Sequence, residues 1–163
     1  MESFRGFPSP VTLVAIAGKN SPLEARCRRL AQTLDSPELV VRVRGFVPNM
    51  AEWMGASDVV VTKPGGLTLV EALGVGRPLI LLPARGGQEE INRRWAVAAG
   101  AAVNCPEPHL AGSLLRGLFS DSGGLAGMGA ASVRAGRPEA AGLISREIVE
   151  TLFPDNMSER RIS

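Results

Sequence analysis

Three short segments of the chain hold residue types and spacings able to do chemistry. The first is Lys63-Pro64-Gly65-Gly66, which ends the apolar run Asp58–Thr62 and leads into Thr68-x-x-Glu71. Strand, paired glycine and helix start, in that order, make an anion site. The first N–H groups of a helix lack intrahelical acceptors and point out of its positive end, so a phosphate ester fits there. Gly65 and Gly66 can take conformations closed to other residues. Glu71, one turn into the helix, is placed to accept hydrogen bonds from both hydroxyls of a ribose. The same Thr-x-x-Glu spacing is that of a capping box, in which both side chains satisfy the helix's own backbone. Both readings stand at this level.

The second segment, GGQEEIN, sets Gln88 and Asn92 four residues apart, on one face of a helix, so that two neutral hydrogen-bonding side chains point together. We read them as sugar contacts. Within the same helix Glu89–Arg93 and Glu90–Arg94 have the spacing of surface ion pairs, and Ile91, Trp95 and Ala98 that of a buried stripe. The third segment, Gly18-Lys19-Asn20, ends a strand, so its backbone can approach a phosphate. It lacks the full G-x-G-x-x-G of dinucleotide folds. No Asp-x-Asp occurs, so no carboxylate pair stands ready to hold a divalent cation on a pyrophosphate, and helix N-termini with Lys63 are left to balance that charge. His109, the single histidine, lies between Pro108 and a helix start, a surface or capping position rather than that of a catalytic base.

The elements that must position these groups alternate. Apolar runs Val11–Ala17, Leu39–Arg44, Asp58–Thr62, Pro78–Leu82 and Ala101–Asn104 read as strands. Helices follow: one from Ser21-Pro22-Leu23-Glu24, with Ser21 as cap, to about Leu34; one capped by Asn49; then Thr68–Gly74 and Gly87–Ala99, with Gly76 and Gly100 as helix-ending glycines. Short connections between alternating strands and helices imply an α/β fold, a parallel sheet with helices on both faces. Beyond Cys105 we expect a helix near Pro108–Phe119, a loose stretch at Ser120–Gly129 and a last helix from about Pro138 to Phe153. Residues 1–154 read as one domain and 155–163 as a frayed tail.

Composition narrows the class. A chain of 163 residues, 45% apolar and 21% charged with net charge +2, is neither disordered nor a polybasic nucleic-acid binder. Of its 18 basic residues only Lys19 and Lys63 are lysines. Cys27 and Cys105 share no C-x-x-C spacing, which points to a reduced, cytoplasmic setting without a disulfide framework or zinc site. No apolar run approaches the ~20 residues of a membrane span.

The run GFVPNMAEWMGASDVVVTKPGGLTLVEALGVGRPLILLP followed by GGQEEIN resembles the C-terminal, donor-binding domain of GT-B glycosyltransferases. It is most similar to monogalactosyldiacylglycerol synthases and processive diacylglycerol glucosyltransferases, and more distantly to the lipid II N-acetylglucosaminyltransferase. The match is dense from about Gly45 to Val103. It implies a Rossmann-like domain, one half of a GT-B fold, with a UDP-sugar lying across the carboxyl ends of the strands and no metal cofactor required. By position Phe46 and Val47 match the segment that stacks on the uracil and pairs with its edge. Gly65, Gly66, Leu67 and Thr68 match the turn that holds the diphosphate, and Glu71 the ribose ligand. Gln88 and Asn92 match the pair that reads the sugar hydroxyls, with Glu89 beside them. Gly18 matches a glycine-rich loop in part, Lys19 and Asn20 replacing a glycine and a serine.

The resemblance further implies an inverting hexosyl transfer to a lipid acceptor such as diacylglycerol, at a membrane surface approached from the cytoplasm. In such enzymes the acceptor site and catalytic base belong to an N-terminal half, which these residues do not include. Either a longer chain supplies that half or a partner subunit does, and this part alone is expected to be inactive. A nicotinamide-binding Rossmann module, a non-catalytic partner and a nucleotide-sugar epimerase are the alternatives. Arg42 and Arg44, where an acidic ribose ligand would be needed, fit the first poorly.

Overall fold

The computed structural model describes residue 7 and residues 10–153. The expected tail at 155–163 lies outside them. Five strands alternate with helices: β1 Val11–Ile16, α1 Ser21–Leu34, β2 Leu39–Arg44, α2 Met50–Gly55, β3 Val60–Thr62, α3 Gly66–Gly74, β4 Leu79–Leu81, α4 Gly87–Ala98 and β5 Ala102–Asn104. A 3₁₀ turn at Pro108–Leu110 then leads into α5 Ala111–Ser120, α6 Ser122–Ala135 and α7 Ala140–Leu152. Among the described residues each pairing of one strand with another is parallel, Val11 opposite Leu39, Val60 opposite Leu79 and Leu79 opposite Ala102, and an isolated antiparallel bridge joins Ser36 to Leu39. The expected α/β fold is present. The hydrogen-bonded sheet, however, comes in two pieces, β1–β2 and β3–β4–β5.

Alternate residues of the strands feed two apolar layers. On one face Val60, Leu79, Leu81 and Ala102 pack with Met54 of α2, Leu69 and Leu73 of α3, Ala96 of α4 and Ala131 of α6. On the other, Val11, Leu13, Leu39, Val41, Ile80 and Val103 pack with Leu34 of α1 and with Ala111 and Leu115 of α5. Both pieces of sheet therefore contribute to one layer. Because α1 lies on one face and α3 and α4 on the other, right-handed crossovers carry the two pieces in opposite directions, in the order β2-β1 then β3-β4-β5. The switch falls between β1 and β3, and such a crevice is where open α/β sheets bind ligands.

Helix ends set the strand entries. Gly76 (φ 70°) and Gly100 (φ 75°) close α3 and α4 with paired bonds, Gly76 N–H to Leu73 O and Arg77 N–H to Ala72 O, then Gly100 N–H to Val97 O and Ala101 N–H to Ala96 O. These are Schellman ends, as the sequence suggests. The cap of α1 differs from expectation. Asn20 holds it, its Oδ1 accepting from Leu23 N–H at 3.0 Å, while Ser21 is the first helical residue. The supposed loose stretch at 120–129 is helical as well. Asp121 caps α6 through Gly124 N–H, and Ala131 and Ser132 bury themselves against α3, where Ser132 Oγ donates to Arg77 O at 3.0 Å. Burial of small residues outweighs the roughly 1 kcal/mol per glycine of poor helix propensity.

Candidate functional site

The turn after β3 is built from backbone. Gly65 N–H donates to Lys63 O at 2.8 Å, and Gly65 (φ −69°, ψ 139°) stands as the N-cap of α3 without offering a side chain. The first helical bond runs from Leu69 N–H to Gly65 O at 3.0 Å. Among the described residues, the N–H groups of Gly66, Leu67 and Thr68 consequently have no acceptor, and they share the positive end of α3. Neither Gly65 nor Gly66 has a positive φ, so the freedom to take conformations closed to other residues is not used there. Their lack of a side chain has another effect: a Cβ on Gly65 would meet nothing within 4 Å, and one on Gly66 only Asn92 Nδ2 at 3.8 Å. The approach to the three amides is open.

The capping-box reading does not survive. The helix starts two residues before the expected point, so Thr68 is its third residue and Glu71 its sixth, too far in for either to cap. Glu71 is exposed and forms no side-chain bond among the described residues. It stands on α3 one turn past the open amides.

Helix α4 reaches back to the same turn. Asn92, half-buried, donates from Nδ2 to Pro64 O at 3.1 Å. Gln88 is exposed on the turn before it. Glu89 is a strut: its Oε1 lies 3.0 Å from Lys63 Nζ and its Oε2 accepts from Arg85 N–H at 2.8 Å. These bonds, the backbone one first, hold its carboxyl below the ordinary range. Lys63, expected to balance a ligand's charge, is thus engaged by Glu89, and the anion is left to the amides. The expected Glu89–Arg93 pair is absent, Arg93 turning to Glu90 at 2.8 Å through Nε. The expected buried stripe is also wrong: Ile91 is 60% and Trp95 48% exposed, and Ala98 is exposed too. The helix buries Ala96 instead, because a methyl lets it lie close on β5 while Asn92 meets the Pro64 turn.

At the ends of β1 and β2 a second cluster forms. Ala17 N–H donates to Arg44 O at 2.8 Å, tying the two strand ends together. Gly18 follows with φ 60°, and Lys19 Nζ sits 5.1 Å from the centroid of the Phe46 ring, which is 62% exposed. Val47 is half-buried beside it. Parallel strands end on one edge of the sheet, so Gly18, Phe46 and Val47 flank the switch point on the β1 side and Gly65–Thr68, Glu71, Gln88 and Asn92 on the β3 side. His109 lies apart, exposed and 3.2 Å from Glu107. Sequence reasoning missed the Lys19–Phe46 and Lys63–Glu89 contacts, which join segments distant in the chain and leave no local spacing to read.

Comparisons with known proteins bear on the family and the fold. Residues 7–118 match the glycosyltransferase family 28 C-terminal domain. Monogalactosyldiacylglycerol synthase 3, chloroplastic, of Arabidopsis thaliana is 38% identical over 112 residues, 68% of this chain and 23% of that protein. The processive diacylglycerol beta-glucosyltransferase of Bacillus mycoides (strain KBAB4) is 31% identical over 158 residues, 97% of this chain and 39% of that protein. The chain therefore spans well under half the length of these relatives. Among solved structures, MurG of Acinetobacter baumannii superposes with a TM-score of 0.70 at 20% identity, over 91% of this chain and 44% of that one. The fold is one half of a GT-B glycosyltransferase, and the chain belongs to the glycosyltransferase family 28 C-terminal domains.

Proposed function

We propose that the chain is the donor-binding half of an inverting hexosyltransferase that moves a sugar from a UDP-sugar to a lipid acceptor such as diacylglycerol, at a membrane surface. The observation that carries this reading is the set of unpaired amides at Gly66, Leu67 and Thr68, opened by two glycines at the switch point of the sheet. In this reading the amides and the helix dipole receive the diphosphate, Glu71 the ribose, Phe46 and Val47 the base, and Gln88 and Asn92 the sugar, with Gly18 on the near wall. Glu89 acts through Lys63 and Arg85, holding the phosphate turn to α4.

The chemistry asked of this half is stabilisation of a leaving group. When the anomeric carbon is attacked from its far side, negative charge builds on the departing diphosphate, and oriented N–H groups already in place meet it without rearrangement. Each hydrogen bond to a charged oxygen contributes about 1.5–3 kcal/mol. The base that deprotonates the acceptor belongs to another domain or partner subunit, so this chain alone binds donor and turns nothing over. Among the described residues no helix is long and apolar enough to cross a membrane, and contact with the lipid falls to that other half.

Calorimetric titration with UDP, UDP-glucose, UDP-galactose and NAD tests the reading. We expect binding of the uridine ligands and none of NAD. Preference for NAD, or no uridine binding at millimolar ligand, would overturn it.

A further inference from the structure

The chain's two lysines are held differently. Lys63 is neutralised by Glu89 at 3.0 Å. Lys19 meets no carboxylate among the described residues: its Nζ rests 5.1 Å from the centroid of the Phe46 ring, and Glu24, in the first turn of α1, is taken by Arg28. The negative face of an aromatic ring attracts an ammonium, but weakly where water reaches both, and here Lys19 is exposed and Phe46 is 62% exposed. The backbone beneath Lys19 is pinned. Gly18 turns at φ 60°, Asn20 N–H bonds to Ala17 O at 3.3 Å, and Asn20 Oδ1 accepts from Leu23 N–H. The side chain is the part able to move.

The sheet gives that side chain a second place to go. Leu13 of β1 shares an apolar layer with Val41 of β2 and with Val59 and Ile80, so β1 stands between β2 and β3. Lys19, just past the end of β1, therefore lies between Phe46, which follows β2, and the open amides of Gly66, Leu67 and Thr68, which follow β3. Adjacent strands of one sheet stand about 4.8 Å apart, within the reach of a lysine's four-carbon stem. We propose that Lys19 is a switching phosphate ligand: a base that stacks on Phe46 takes the ring face the ammonium occupies, and the displaced ammonium turns to the diphosphate on the Gly66–Thr68 amides. This inference rests on the donor reading above and deepens it. Recognition of the base then recruits a mobile cation to the diphosphate, a part that Lys63, engaged by Glu89, does not fill. A charge-assisted contact made only after the base has docked favours a nucleoside diphosphate over either of its halves.

Proton NMR of the whole chain reads the ring contact directly, because only two lysines contribute ε-methylene signals. In the free chain we expect the Lys19 signal to be shifted upfield by the Phe46 ring, with Lys63 as the internal control. Saturating uridine, which carries no phosphate, should move the first signal to the control's position and leave the second in place. Calorimetry of the parent, Lys19→Met and Lys19→Arg then reads the phosphate contact. Lys19→Met should weaken UDP about three- to tenfold at low salt and leave uridine binding unchanged or tighter, while Lys19→Arg keeps most of the UDP affinity. An upfield Lys19 signal that persists in saturating uridine, or equal UDP affinity of the parent and Lys19→Met, overturns the proposal and leaves the donor reading standing. Equal loss of uridine and UDP in Lys19→Met would make the residue a wall of the base pocket and overturns the proposal as well. No binding of either ligand to the parent overturns the donor reading and this inference with it.

Discussion

Asn92 Nδ2 donates to the carbonyl of Pro64 at 3.1 Å, joining α4 to the turn that opens α3 across 28 residues of chain. The bond fixes where the free amides of Gly66–Thr68 stand relative to Gln88. Asn92→Ala is expected to lower stability by about 0.5–1.5 kcal/mol, and Asn92→Asp by more, since a carboxylate would face a carbonyl oxygen. Urea unfolding measures both, and an Asn92→Asp variant as stable as the parent would show the bond to be idle.

Glu71 has no side-chain partner among the described residues, so Glu71→Ala should leave the melting temperature unchanged while weakening UDP about tenfold, the loss expected for one charge-assisted hydrogen bond. Calorimetry and thermal melting together read this. Unaltered UDP affinity would return Glu71 to a solvent-facing role.

Gly66 and Gly76 should respond oppositely to alanine. A Cβ on Gly66 meets nothing closer than 3.8 Å, so Gly66→Ala should fold normally, gain up to about 1 kcal/mol from helix propensity and lose UDP affinity by placing a methyl before the amides. Gly76 sits at φ 70°, with Val133 Cγ2 2.8 Å from where a Cβ would stand, and Gly76→Ala should cost about 1–3 kcal/mol. Thermal melts of the pair, with UDP titration of the first, check both.

The carboxyl of Glu89 is held below its ordinary value of 4.5 by the Arg85 N–H and by Lys63. A group whose pKa is depressed by folding contributes stability above its unfolded value and loses it as pH falls through its folded one. Stability should therefore decline in the acid range below about pH 4.5, and Glu89→Gln should flatten that part of the curve. Denaturant midpoints between pH 3 and pH 6 measure the difference, and identical curves would remove Glu89 from the account.

Burial raises the Cys105 thiol pKa, and its Sγ donates to Glu107 O at 3.0 Å, whereas Cys27 is half-buried. A thiol reagent should label Cys27 in the native chain and Cys105 only after unfolding. Mass spectrometry of the labelled chain distinguishes them.

The alternation of strands and helices, their parallel order and both helix-ending glycines were readable from the sequence, because each rests on local periodicity or on a backbone angle that one residue type supplies. So was the glycine turn between β3 and α3. Gly65-Gly66 after an apolar run is a local signature, and the positive end of a helix is a local property.

What needed the tertiary structure were choices between faces and partners. Ile91 and Trp95 have the spacing of a core stripe, but α4 buries Ala96 and turns half-buried Asn92 to the Pro64 carbonyl, because the close approach to β5 and that carbonyl decide its rotation. Lys63 was available to a ligand until Glu89, 26 residues on, arrived beside it. The glycine-rich run before Gly129 folds as a helix only because α3 is there to cover it.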